Sequence, residues 1–279
     1  MRKLALVLVL LVSSSAFAAD LVRGVRSKIS AGDLATGVDA EYLDAVGWLA
    51  RGAEMLHRSD LARQYVAELH RQIPDETPEL VVPFGAAIEV EGRLIAASEG
   101  RGAAIRYFEE QLAKAKAPSL ASRIRKNINL LSLEGQPAPE TADLKLASLR
   151  GKPVLLYFFA QGCGDCRAQA PSLGRVWQKY RNRDVAMISA TRLYGKVEDK
   201  TATPDEEKAQ IDKVWKEIYA PLEGVPIVIS TDTMVRYGAS ATPTFVLLDR
   251  KGIVRLYTPT RMSEAELSRH IDELLAEGD

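Results

Sequence analysis

Excess charge of either sign is the first thing this sequence lacks. Its 37 Lys and Arg are matched by 37 Asp and Glu, and the two signs are interspersed, so no basic surface is offered to nucleic acid or anionic lipid. Nucleic acid is therefore not an expected partner. Histidine is scarce, with only His57, His70 and His270. A metal at a C-x-x-C pair needs further thiolate or imidazole ligands, and the first two histidines lie far upstream, so no metal and no other cofactor is expected. Cysteine occurs twice, at Cys163 and Cys166. A chain with only this pair carries either one structural disulfide or a working redox couple, and spacing does not separate the two.

Long apolar runs are also missing. The N-terminal run, Leu4 to Val12, is well short of the roughly 20 residues that a spanning helix requires. Preceded by Arg2 and Lys3 and followed by Ser13-Ser14-Ser15-Ala16-Phe17-Ala18, it reads as a secretory signal over residues 1–18, cleaved after Ala18. The expected product is exported, periplasmic or otherwise extracytoplasmic, and soluble. The alternative is a form anchored in the membrane by an uncleaved N-terminus. No cysteine follows the cleavage point, so a lipid anchor is not suggested.

What the sequence does contain is organised in two parts. From about Asp39 to Leu133 apolar residues recur at three and four spacing: Tyr42, Val46, Leu49, Ala53 and Leu56, then Leu61, Tyr65 and Leu69 behind a Ser59 N-cap. Ile105, Phe108 and Leu112 follow, then Ile124, Ile128 and Leu131 behind Pro118-Ser119. This predicts an all-helical domain over 19–134, with Trp48 in its core and the proline-bearing segment Ile73 to Pro83 as a connection. Gly135-Gln136-Pro137-Ala138-Pro139-Glu140 breaks the pattern and predicts an extended linker over 135–142.

Beyond the linker the period changes. Val154-Leu155-Leu156-Tyr157-Phe158-Phe159 is a continuous apolar run, the mark of a strand buried on both faces. A helix to about Tyr180, a strand over Val185 to Ile188 and a capping box at Thr203 to Glu206 come next. A short strand over Pro226 to Ile229, a hairpin turning at Asp249-Arg250-Lys251-Gly252 and a capping box at Ser263 to Glu266 complete the pattern. The order predicts an α/β sheet domain over 143–279. The charged stretch Tyr194 to Lys208 reads as a solvated loop that also has the option of lining a substrate approach.

Cys163 and Cys166 fall where the buried strand ends and a helix begins. At a helix N-terminus the first backbone N–H groups lack partners and the macrodipole favours negative charge, so Cys163 is stabilised as thiolate, the nucleophilic form. Cys166, three residues on, shares its helical face and is placed to resolve a mixed disulfide.

With these residues the chain resembles the thioredoxin superfamily, and more closely its exported branch typified by TlpA, ResA and CcmG. The resemblance rests on Phe158-Phe159-Ala160 ahead of Cys163-Gly164-Asp165-Cys166, on Pro171, and on Tyr237 to Phe245 around Thr242-Pro243. Leu248-Asp249 with Gly252, and the Gly-Gln-Pro-Ala-Pro entry followed by Leu149-Arg150-Gly151-Lys152, complete it. It covers about Gly135 onward and implies a thioredoxin-like fold, thiol-disulfide exchange at Cys163 and Cys166, and a cis-proline at Pro243 beside the sulfurs. It further implies a substrate site built from Thr242 and Pro243, with Gly164 and Asp165 in support. The implied partners are protein disulfide substrates and, for an exported reductase, a membrane electron donor of the DsbD or CcdA type.

Three positions depart from the family pattern. Gly162 stands where an aromatic residue is usual, Asp165 where proline is frequent, and Tyr157 where thioredoxin keeps a buried acid. The sequence therefore assigns no proton-transfer partner to Cys166. A peroxidase of the peroxiredoxin kind is disfavoured, because Leu156 and Ala160 occupy the places of its proline and threonine. The rival from another class is a helical protein-binding or assembly module carrying a redox-inert domain whose disulfide is structural.

Overall fold

A computed structural model describes residues 40–198 and 200–277 of the chain; the expected signal segment lies outside the described residues. No described helix is long and apolar enough to cross a membrane. The residues group into two compact units that meet in sequence at Gly100 and Arg101.

The first unit is built from helices α1 (Ala40–Met55), α2 (Ser59–Gln72) and α3 (Val81–Glu99), with a 3-10 turn over Pro78–Leu80. Its buried stripe on α1 is Leu43, Val46, Gly47, Ala50 and Ala53, one position round from the expected stripe. Small residues are the reason: a Cβ on Gly47 would lie only 3.0 Å from Ala86 Cβ of α3, so the helices approach along their small faces. Larger side chains are turned aside. Leu56 is consequently exposed, and Trp48, expected in the core, is 67 % exposed with the Arg51 guanidinium over its ring. Ser59 is the first helical residue of α2, and Arg58 occupies the N-cap without a side-chain bond. Pro83 falls in the first turn of α3, where a missing N–H costs no helical bond.

The second unit opens with α4 (Arg101–Lys114) and α5 (Pro118–Ser132) and contains a five-stranded sheet. Strand β1 (Val154–Phe158) runs parallel to β2 (Ala186–Thr191), with Val154 opposite Ala186 and Phe158 opposite Ala190. A two-stranded hairpin of β3 (Lys196–Val197) and β4 (Lys200–Thr201) follows. Strand β5 (Ile227–Ile229) pairs parallel with β2. On the other side of β1, β6 (Thr244–Leu248) and β7 (Val254–Thr258) pair antiparallel. The order is β5-β2-β1-β6-β7.

The helices that follow β1, the hairpin, β5 and β7 are α6 (Gly164–Tyr180), α7 (Pro204–Ile218), the short α8 (Thr231–Arg236) and α9 (Glu264–Ala276). Alternation along β1 sends Leu155 and Tyr157 into one core with α6, α7 and α9. It sends Val154, Leu156 and Phe158 into a second core with Met234 of α8. Both expected capping boxes form, at Thr203 with Glu206 and at Ser263 with Glu266.

Two features differ from the expected domain plan. The segment after Gly135 is extended but pinned: Gly135 N donates to Val254 O, Val254 N to Gln136 O and Ala138 N to Gly252 O, at 2.8 to 3.0 Å. It lies along the free edge of β7. The all-helical part runs on through α5, yet α5 packs on the sheet unit, where Ser122 Oγ and Asn129 Nδ2 donate to the carbonyls of Met234 and Arg236. Helical periodicity shows that a face is buried, not what buries it.

Tyr157, Tyr219, Tyr237 and Tyr257 are among the tyrosines buried in this unit. Burial pushes every one of their phenols up, that of Tyr219 to about 12. In the unfolded chain a phenol ionises near pH 10. The folded state thus holds protons that the unfolded state releases, and this stability is present below pH 10 and lost as pH rises through 12. Across that interval Tyr219 alone accounts for about 2 to 3 kcal/mol, at about 1.4 kcal/mol per pH unit. Urea unfolding followed between pH 9 and 12 should show the decline; a flat profile would contradict it.

Candidate active site

The chain leaves β1 through Phe159-Ala160-Gln161-Gly162 and enters α6 at Gly164, which makes Cys163 the N-cap residue. Its backbone is extended, at φ −77° and ψ 113°, and its Sγ accepts the Cys166 N–H at 3.0 Å. A helix begins here because the sulfur satisfies one of the orphan amides of the first turn. Cys163 and Cys166 are joined as a disulfide with Cα atoms 5.2 Å apart. Their exposures differ sharply. Cys166 is 0 % exposed, whereas Cys163 is half-buried and packs against the core only in part.

The expected neighbours are brought together. Thr242-Pro243 is a cis peptide just ahead of β6, and Thr242 O lies 3.3 Å from Cys163 Sγ. Pro243 is buried, while Thr242 keeps part of its surface open. Gly164 and Asp165 occupy the exposed first turn of α6. Asp165 also meets Arg261, at 3.8 Å, with both side chains more than half exposed. An exposed pair of this kind is worth about 0 to 1 kcal/mol, yet it offsets the acid that sits beside the sulfurs. The backbone next to Arg261 is anchored, since buried Gln169 donates to Met262 O and accepts from Met262 N, both at 2.9 Å.

Tyr157, at the position where the resemblance expected thioredoxin's buried acid, is fully buried. Its hydroxyl lies 3.1 Å from Tyr219 OH and donates to Cys166 O at 3.5 Å. Burial keeps both phenols protonated through neutral pH, so the pair supplies hydrogen-bonding hydroxyls and no carboxylate.

Sequence reading missed two residues that the structure joins to the cysteine loop. Gln161 donates through Nε2 to Lys196 O at 2.7 Å and to Glu207 Oε1 at 3.0 Å. Glu207, from the first turn of α7, is 0 % exposed and also accepts from the amides of Tyr194 and Gly195, at 2.7 and 2.8 Å. Glu207 lies within the charged stretch Tyr194 to Lys208 expected to be solvated. Part of the stretch expected to be solvated is therefore a buried joint. Among the described residues, no three or more His, Cys, Asp or Glu side chains gather in a way that would hold a metal.

Residues 113–271 match the family model described as Redoxin. The thiol-disulfide oxidoreductase ResA of Geobacillus thermodenitrificans is 24 % identical over 139 residues, covering 48 % of this chain and 70 % of the relative. Tryparedoxin of Trypanosoma brucei brucei is 31 % identical over 125 residues, covering 40 % of this chain and 80 % of the relative. Among solved structures, a thioredoxin-family thiol:disulfide interchange protein of Chlorobium tepidum is similar at 18 % identity, with a TM-score of 0.39, 51 % of this chain and 97 % of that one being covered. The Redoxin match spans more than half of the chain and includes the whole Cys163-to-Pro243 site, and the two relatives agree with it. The chain belongs to the redoxin family within the thioredoxin superfamily, on its TlpA/ResA-like side, and is a disulfide oxidoreductase.

Proposed function

We propose that the chain is an exported reductase of protein disulfides that cycles Cys163 and Cys166 between dithiol and disulfide. The observation that carries this reading is the unequal burial of the two cysteines, with the half-open Cys163 beside Thr242 and Cys166 closed off beneath it. In the dithiol form Cys163 thiolate attacks one sulfur of a substrate disulfide, a mixed disulfide forms, and the other substrate sulfur leaves as thiolate. Cys166 then gives up its proton and attacks Cys163 Sγ, releasing the second substrate sulfur. The substrate gains two electrons and, on protonation, two protons; the enzyme ends as the disulfide.

The open backbone of Thr242 offers a substrate peptide a short strand pairing beside the sulfurs, with Pro243 beneath it and Gly164 and Asp165 at the rim. Regeneration takes two electrons from a dithiol donor, for which a membrane protein of the DsbD or CcdA type is the fitting class. Export rests on the signal read over residues 1–18. The direction rests on the TlpA/ResA-like resemblance, since Asp165 with Arg261 beside it shifts the balance by only about 1 kcal/mol. Redox pairs of this type span about −270 to −120 mV.

Two measurements test the reading. One equivalent of iodoacetamide at neutral pH should modify Cys163 alone in the reduced protein; slow, unselective labelling of both cysteines would favour the structural-disulfide rival. Titration against glutathione should then give a midpoint close to the thioredoxin end of the range, and a midpoint close to the DsbA end would reverse the proposed direction.

A further inference from the structure

Glu207 is a carboxylate with no exposed surface, and the exchange chemistry makes no use of it. Burying a carboxylate is tolerable only when its oxygens are fully hydrogen-bonded. Here the donors are the amides of Tyr194 and Gly195 and the side chain of Gln161, so one acid ties the base of the β3–β4 hairpin to the loop that presents Cys163. Gln161 completes the joint by giving its second amide proton to Lys196 O.

The loop needs such a joint. Cys163 is flanked by Gly162 and Gly164, and a Cβ added at either would meet nothing within 4 Å. No close approach explains these glycines, and neither has a positive φ. Backbone bonds hold Cys163 itself, its N–H donating to Ala160 O and its carbonyl accepting from Arg167 N, so the two glycines add conformational freedom without side-chain packing of their own. Gln161, 6 % exposed, is the buried polar side chain anchoring the loop just upstream of them.

We infer that Glu207 is a positioning residue for Cys163: by holding Gln161 it fixes the loop so that the sulfur stays on the free amides of the α6 N-terminus. The inference rests on Cys163 being the attacking thiol. It separates two effects of opposite sign. As a bare negative charge Glu207 would disfavour the thiolate, and its removal would lower the Cys163 pKa; as a positioning group it favours the thiolate, and its loss raises that pKa. Asp165, in the first turn of α6, and Arg261, paired with it, are the same in every variant used.

The test uses the full chain in its dithiol form, reading the rate of alkylation by iodoacetamide against pH and the midpoint in glutathione buffers. Gln161→Ala breaks the joint and keeps the carboxylate. It should slow alkylation at pH 7 about tenfold and raise the midpoint of the pH profile. It should also shift the equilibrium toward the disulfide about tenfold, equivalent to ~30 mV more negative. Glu207→Gln should move all three in the same direction, and adding Gly162→Ala to Gln161→Ala should recover about threefold of the rate by narrowing the freedom of the loop. Gln161→Ala matching the wild type in both readouts, or Glu207→Gln lowering the midpoint of the pH profile, would overturn the inference. Unselective labelling of the wild type would instead overturn the proposed function beneath it.

Discussion

Cys163→Ser in the full chain is expected to lower the reduction of insulin disulfides by about 10³-fold or more, because a serine hydroxyl at neutral pH replaces a thiolate as nucleophile. Cys166→Ser should lower steady turnover as severely by a different route. Cys163 remains half-open and able to attack, but the buried sulfur that should displace the substrate is gone, so a mixed disulfide between Cys163 and the substrate accumulates. The two variants therefore part company on a non-reducing gel, where only Cys166→Ser carries a covalent adduct. An adduct on Cys163→Ser, or equal residual turnover in both, would sink the assignment of attacking and resolving sulfurs. The assignment depends on the place of Cys163 at the α6 N-terminus and on burial, since Cys166 is enclosed in a core that includes Tyr157 and Tyr219.

The site was legible in the sequence wherever local chemistry carried it. A buried run ending at a C-x-x-C, with Thr242-Pro243 ahead of the next apolar run, placed four residues that the fold does bring together. The β1 alternation and both capping boxes were equally plain, because each depends on spacing within a few residues. The sequence did not reveal pairings fixed by the fold. Glu207 and Gln161 lie 46 residues apart, and the other donors to the carboxylate, the amides of Tyr194 and Gly195, come from a third stretch just ahead of β3. Trp48 was misplaced for the converse reason, a close α1–α3 approach set by Gly47 and Ala86. The short α8 escaped notice because six residues hold too little periodicity to read.

The packing of α5 on the sheet unit, also invisible in the sequence, gives the largest expected change in stability. Gly238 has φ +61°, and a Cβ there would lie 2.6 Å from Lys126 Cα and 2.8 Å from Arg125 C, with Lys126 N closer still. Every one of these atoms is α5 backbone, so no side-chain rotation relieves the clash. Gly238→Ala must either move α5 off α8 or open the turn, and either way Ser122 and Asn129 lose their bonds to the Met234 and Arg236 carbonyls. Left-handed strain adds to this. Together they predict a loss of about 3 kcal/mol or more, seen as a fall in Tm of about 6 to 12 °C for a unit of this size. Gly252→Ala is the useful contrast. Its φ is also positive, at +74°, but its Cβ would meet only the guanidinium end of Arg150, which can swing away, so the cost should stay near the strain alone, about 1 kcal/mol. Gly162→Ala, with open space and no positive φ, should cost nothing. If Gly238→Ala melts within a degree or two of Gly252→Ala, α5 is not held against α8 in solution as it is here.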